Sequence, residues 1–447
     1  MRKVATVFAL PLSLLLTAVP ALDVAVTRAE LPNGLKVLIA PDRTVPGVTI
    51  NLLYHVGSKD EQPGRTGFAH LFEHLMFMGA RYVPYPQFDT LMEAAGGVNN
   101  ASTGNDVTDY YSVGPSNLLE TFLWMESDRL LTLGQEMTQQ KLETQLKVVL
   151  NERRQSYENV PYGKVNDVLP PALFPKTNPY SWPVIGSAAD LRAATLNDVK
   201  EFFATWYVPS NASLVIAGDV DPAQAMALVN RYFAFLPKRA APRQVTAPLA
   251  SLSSEVRLQL SDKVELEKVV IAYLSPRDGT AGDAACDVLA TVLGRGKASR
   301  LYARLVYRDQ LATEVEAEQD GRELQGVFTL SALARPKVDA QALVKAIDEE
   351  LQRLRSEGPT SAELEAARTL EYTDAARRLE SLVSRAEFLN RLELTYGVGA
   401  TVQRDLDRYQ ALTPASVRET AQQVFGPGRV VVEVRPEPKV ANAQEPK

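Results

Sequence analysis

Apolar positions in this chain recur with two periods, two and about three and a half, and the switches between them outline its elements. Residues 31–42 (LPNGLKVLIAPD) and 47–58 (GVTINLLYHVGS) are runs of β-branched and aliphatic residues between turn signals, and predict two strands. Phe68, Leu71, Phe72, Leu75 and Met76 then recur at helical spacing until Gly79 stops the run. A short amphipathic helix is expected over 86–95, closed by Gly96-Gly97. Residues 98–114 (VNNASTGNDVTDYYSVG) read as one polar strand. Helices are expected over 116–131 and 138–158, the second rich in charge and glutamine, and 211–220 (NASLVIAGDV) as a buried strand.

Residues 237–254 (PKRAAPRQVTAPLASLSS) have little periodicity and much proline, alanine and serine, which marks a boundary. Beyond it the order of elements repeats. Residues 269–279 echo 47–58, a helix follows where one followed before, and 324–336 (LQGVFTLSALARP) takes the place of the polar strand before two more charged helices. The pattern predicts an α+β protein of two homologous domains, each a mixed or antiparallel sheet packed with helices. The expected units are 22–237 and 255–434, a linker at 238–254, and a polar, proline-containing tail at 435–447 expected to be disordered. A chain of 447 residues is long enough for two cores.

The first 21 residues change the picture. A basic start at Arg2 and Lys3, an apolar run and the small-residue pattern TAVPA predict a secretory signal cleaved after Ala21. An uncleaved anchor is the alternative, but the run is short for spanning and contains Pro11 and Pro20. Cleavage removes two of the 48 basic residues and none of the 54 acidic ones, taking the net charge from −6 to −8. That balance disfavours nucleic acid or an anionic membrane as partner. The expected product is exported, periplasmic or secreted, with no stable membrane anchor. The single cysteine, Cys286, lies in an apolar run; it excludes an internal disulfide and is expected to be a buried thiol.

The chain has three histidines, and two of them, His70 and His74, stand four apart with Glu73 between. On a helix this places both imidazoles on one face, about one turn apart. Glu73 projects from nearly the same face, close enough to touch a water held by an ion there. This is the zinc-peptidase pattern H-E-x-x-H in reverse order, H-x-x-E-H. Catalytic zinc takes three protein ligands and leaves one position open. The helix at 138–158 offers Glu143, Glu152 and Glu158 as a third ligand, and spacing does not choose among them. GRGKAS (294–299) is not a phosphate loop, because Thr291 stands where glycine is required and Ala298 follows the lysine.

The stretches LPNGLKVLI, VGSKDE, GFAHLFEHLMFMG, GGVNNASTGNDVTDYY, ESDRL, VVLNERRQSYENVPYG and WYVPSNASLVIAGDVD, with GRGKASRLYARLVYRDQLA in the second half, resemble the pitrilysin family of zinc peptidases. That family includes insulin-degrading enzyme and the mitochondrial processing peptidases. The resemblance implies one Zn2+ per chain held by His70, His74 and Glu152, and Glu73 as general base. It also implies that Asn100, Ala101 and Ser102 lie on an exposed edge that pairs with the backbone of a peptide substrate. Some relatives have an acidic residue one heptad before the ligand glutamate, where this chain has Gln145.

Short members of the family build a clamshell chamber as dimers, so each chain is expected to form half of one. The half opposite the zinc commonly supplies an arginine and a tyrosine. Here Val327 stands where that arginine is sought, which points to a heterodimer with a metal-free relative. The implied activity is endoproteolysis of unfolded peptides. The alternatives are a catalytically silent metal-binding scaffold and a dedicated peptide-maturation peptidase.

Overall fold

The computed structural model describes residues 21, 22 and 24–438, and within them the chain builds two sheets of closely related order. The first contains β1 (Thr27–Glu30), β2 (Lys36–Pro41), β3 (Gly47–Tyr54), β4 (Val98–Thr103), β5 (Thr108–Pro115) and β6 (Ala212–Gly218), in the order β1-β2-β6-β3-β5-β4. The second contains β7 (Val256–Asp262), β8 (Lys268–Ser275), β9 (Ala312–Asp320), β10 (Gly326–Ala334) and β11 (Val430–Pro436), in the order β7-β11-β8-β10-β9. In each sheet the first strand of the repeat pairs in parallel with the last strand of its half, β2 with β6 and β7 with β11. Every other pairing is antiparallel.

Helices fill the connections. The first half carries α1 (Phe68–Leu75), α2 (Gln87–Ala94), α3 (Leu119–Glu136), α4 (Gln139–Arg153), α5 (Val165–Leu173), α6 (Ala188–Ala193), α7 (Leu196–Trp206) and α8 (Pro222–Phe233). The second carries α9 (Ala281–Gly294), α10 (Ala340–Glu357), α11 (Ser361–Glu380), α12 (Leu382–Tyr396), α13 (Val402–Gln410) and α14 (Pro414–Val424). No helix among the described residues is long and apolar enough to cross a membrane. Residues 237–255 contain neither helix nor strand.

β3 and β6 are buried along nearly their whole length because both faces are covered. The cover on one face comes from the other half of the chain. Ala386 and Leu389 of α12 pack against Leu38, Ala40, Val215 and Ala217 of the first sheet. The exchange is mutual, since Val165 and Leu173 of α5 pack against Val270, Ala272, Val327, Val430 and Val432 of the second. Neither helix could be assigned to its sheet from periodicity, which reports that a face is buried but not what buries it.

Several expectations change. The polar strand at 98–114 is a hairpin, β4 and β5, broken by the turn at Gly104-Asn105-Asp106-Val107. Its counterpart in the second half is likewise two strands. β10 corresponds to β5, and the acidic β9 (ATEVEAEQD) is an addition to the expected elements, its glutamates and alanines being poor strand formers even though they alternate. The helix expected to reach 158 leaves α-geometry after Arg153, and Arg154–Glu158 forms a wider π-helical turn. Arg435 and Pro436, expected in the tail, are the last residues of β11. The signal at 1–21, apart from Ala21, and the end of the tail at 439–447 lie outside the described residues.

Candidate metal centre and peptide edge

α1 is fixed at its start before it presents anything. Gly67 precedes it with φ +87°, and a Cβ there would stand 2.6 Å from the carbonyl oxygen of Ile185, so only glycine fits. The N–H groups of Gly67 and Ala69 donate to the two carboxylate oxygens of Glu61, at 2.9 and 2.8 Å. Glu61 thus serves the orphan donors of the first turn with a charge of the favourable sign. Burial pushes its carboxyl well above the usual carboxylate range, against the pull of those N–H groups. Phe68, Leu71, Phe72 and Leu75 bury the inner face of α1 in the core, which turns His70, Glu73 and His74 outward.

The three donors then meet across α1 and α4. His70 Nε2 lies 3.5 Å from Glu152 Oε1, and His74 Nε2 lies 3.1 Å from Glu152 Oε2. One ligand atom from each residue lies within 4.8 Å of the others. A tetrahedral ion with bonds of about 2.0–2.1 Å has ligands roughly 3.4 Å apart. Two imidazoles and a carboxylate at these separations fit zinc, and they cover only three of its four positions. Glu143 and Glu158 stand elsewhere: Glu143 is exposed and accepts from Gln139 at 3.0 Å, and Glu158 pairs with Arg153 at 3.1 Å. His55, the third histidine, pairs with Glu323 of the second half at 2.8 Å.

The charge states suit ligation. Burial, with His70 alongside, pushes the His74 ring below the usual histidine range, which favours the neutral imidazole that ligation requires. The hydrogen bond from His70 holds the Glu152 carboxyl below the usual carboxylate range. Gln145 hydrogen-bonds His74 and donates its Nε2 to Met78 Sδ at 2.8 Å. His70 Nδ1 is buried with no partner among the described residues.

Glu73 does not join the three donors. Its Oε2 accepts from Thr103 Oγ1 at 2.5 Å, and Thr103 is the last residue of β4. Burial pushes the Glu73 carboxyl up while the Thr103 hydroxyl pulls it down. β4 pairs with β5 alone, so its outer edge is open. Asn100 and Ser102 are exposed, and Ala101, between them, packs against the core. The N–H of Ala101 donates to Asn100 Oδ1 at 2.9 Å, which leaves this edge group without a strand partner.

Sequence reasoning passed over Glu61, Thr103 and Asp109. The first two lie in VGSKDE and NNAST, but nothing in the spacing shows that one caps α1 and the other holds Glu73. The aromatic stretch YVPYPQF divides: Val83 and Phe88 are buried, while Tyr82 and Tyr85 are exposed. Asp128 holds its start by accepting from the N–H groups of Tyr82 and Val83 at 2.8 and 2.9 Å. Val327 is buried beneath α5 with a mainly aliphatic surround. Cys286 is a buried free thiol.

Known proteins resemble this chain in sequence and fold. The family model described as Insulinase (Peptidase family M16) matches residues 36–181, and that described as Peptidase M16 inactive domain matches 193–371. The zinc protease PqqE of Helicobacter pylori is 30% identical over 355 residues, 78% of this chain and 79% of that one. An uncharacterized zinc protease of Streptomyces coelicolor is 27% identical over 412 residues, 90% of this chain and 87% of the other. A crystal structure of a protease from Helicobacter pylori superposes with a TM-score of 0.86 at 27% identity, covering 92% of this chain and all of that one. The Pseudomonas fluorescens structure described as a peptidase M16 inactive domain shares the fold, with a TM-score of 0.82 at 19% identity, covering 93% of this chain and 98% of that one. The chain belongs to peptidase family M16, the insulinase family.

Proposed function

We propose that this chain is a zinc-dependent endopeptidase that cleaves unfolded peptides inside a closed chamber. The observation that carries the reading is the convergence of His70, His74 and Glu152 within 4.8 Å, beside a carboxylate, Glu73, held apart from them. Zinc, when bound, supplies a Lewis acid that polarises the scissile carbonyl and acidifies water. The protein's residues do the rest. Glu73 takes a proton from the attacking water at its carboxylate and returns it to the departing amine, and Thr103 orients that carboxylate. Asn100, Ala101 and Ser102 present the open edge of β4 to the peptide backbone, which gives affinity with little dependence on sequence.

Residues 22–237 and 255–434 act in this reading as two homologous domains joined by 238–254, with the metal site in the first alone. The chamber is completed by a second subunit. Val327 is buried in an aliphatic site and offers no substitute for the arginine sought there, which supports a metal-free relative as the partner. Full activity of the purified chain alone would exclude that partner. Export after cleavage near Ala21 is part of the proposal, and N-terminal sequencing of the mature protein tests it.

The deciding experiment measures bound metal and peptide hydrolysis for wild type and Glu73→Gln. A peptidase loses at least about 100-fold in rate on this substitution and keeps its zinc. A metal-binding scaffold hydrolyses nothing in either form.

A further inference from the structure

A line of hydrogen bonds, buried up to its last link, runs from the second half of the chain to the open edge of β4. It begins at Asn390 on α12, a fully buried amide. Its Nδ2 donates to Asn51 Oδ1 at 2.6 Å and to the carbonyls of Asn51 and Ser213, at 3.2 and 3.1 Å. Its Oδ1 accepts from Ser213 Oγ. Asn51 on β3 passes the line on, its Nδ2 donating to Asp109 Oδ2 at 2.8 Å. Asp109 on β5 then accepts from Ser102 Oγ at 2.6 Å, directly across the β4–β5 pairing. The next residue, Thr103, is bonded to Glu73 on the opposite face of β4.

The middle link has an unusual character. Asp109 is buried, and no cation pairs with it among the described residues. Two carboxylates, Glu73 and Glu387, lie close enough to feel its charge. A buried anion without a cation is costly, and an apolar pair at the same place would be cheaper. Neutral donors from Asn51 and Ser102 hold it, so each position fixes the next. β4 is consequently tied on both faces at adjacent residues, to the second half through Ser102 and to Glu73 through Thr103.

We propose that Asn390 and Asp109 are positioning residues for peptide binding: through Asn390, Asn51 and Asp109, α12 sets the orientation of Ser102 and of the open edge of β4. The proposal rests on the reading of that edge as the peptide site. Neither residue touches the peptide.

The test measures the affinity of a labelled extended decapeptide for the full chain carrying Glu73→Gln, alone and with Asn390→Leu, Asp109→Asn or both, alongside zinc content and unfolding midpoint. Each single change weakens binding about 3- to 10-fold with zinc retained, the size of one lost buried hydrogen bond. The double change is no worse than the weaker single, because links in series do not add. A tripeptide, too short to run along β4, loses less. Unchanged decapeptide affinity, additive effects, or equal losses for both peptides would overturn the proposal. So would a parent chain that binds no decapeptide. If Asn390→Leu does not fold, Ser213→Ala removes one donor to Asn390 and takes its place. Peptide binding that follows this pattern in a chain whose wild type hydrolyses nothing would refute the peptidase reading and leave the positioning role standing.

Discussion

Thr103 joins two elements with one hydroxyl, tying the end of β4 to the Glu73 carboxylate proposed as the base. Thr103→Val keeps the shape and deletes only that donor. Hydrogen bonds to charged groups are worth about 1.5–3 kcal/mol, so kcat should fall by about 10-fold or more while bound zinc is unchanged. Steady-state kinetics beside metal analysis checks this. At Glu152 the expectation is reversed: Glu152→Gln should lower metal content first and activity with it, read by equilibrium dialysis. At this scale the sequence was most informative where spacing itself carries chemistry. His70, Glu73 and His74 are legible because a helix puts positions i and i+4 on one face. The choice of Glu152 over Glu143 and Glu158 was not legible from spacing, since it depends on where α4 crosses α1. Thr103 and Asp109 were invisible, because their partners lie on other elements, Thr103's on α1 and Asp109's on β3 and β4.

α1 is the element on which the site depends, and its start is held by Glu61 and Gly67 rather than by its own short length. Glu61→Ala should cost about 1–3 kcal/mol of stability, the price of leaving buried donors unsatisfied, and should weaken zinc binding as α1 loosens. Denaturant titration and a zinc competition assay read the two effects. α11 offers a pH test away from the site. Burial works against the Glu363 charge, but Arg300 at 2.7 and 2.8 Å and the Thr360 N–H outweigh it and hold the carboxyl at about 2. A folded value below the ordinary 4.5 contributes stability above 4.5, and that contribution is lost as the pH falls through about 2. The stability gap between wild type and Glu363→Gln should therefore close across that window, as urea titrations at stepped pH would show. Long amphipathic helices such as α3 and α10 were legible from periodicity alone. β9 was not, because its glutamates and alanines are poor strand formers even though they alternate.

At the scale of the whole molecule, two sheets of closely related order carry different chemistry. On α9, the helix that follows β8 as α1 follows β3, Asp283 and Asp287 stand four residues apart. Arg408 and Tyr409 of α13 hold them, at 3.0 and 2.7 Å, so an internal cation already answers the charge. The duplication was readable from the order of elements; the crossing of α5 and α12 to the opposite sheets was not. That crossing changes what the linker does. Each half grips a helix that the other half supplies, so covalent continuity at 238–249 is not what keeps them together. A chain cut there should elute from a sizing column as one particle and melt in a single calorimetric transition, coming apart only in denaturant. Two peaks, or two melting steps, would show that the helices dock too weakly to act as a clasp. One particle with one transition would mean that two sheets of related order behave, thermodynamically, as an indivisible body.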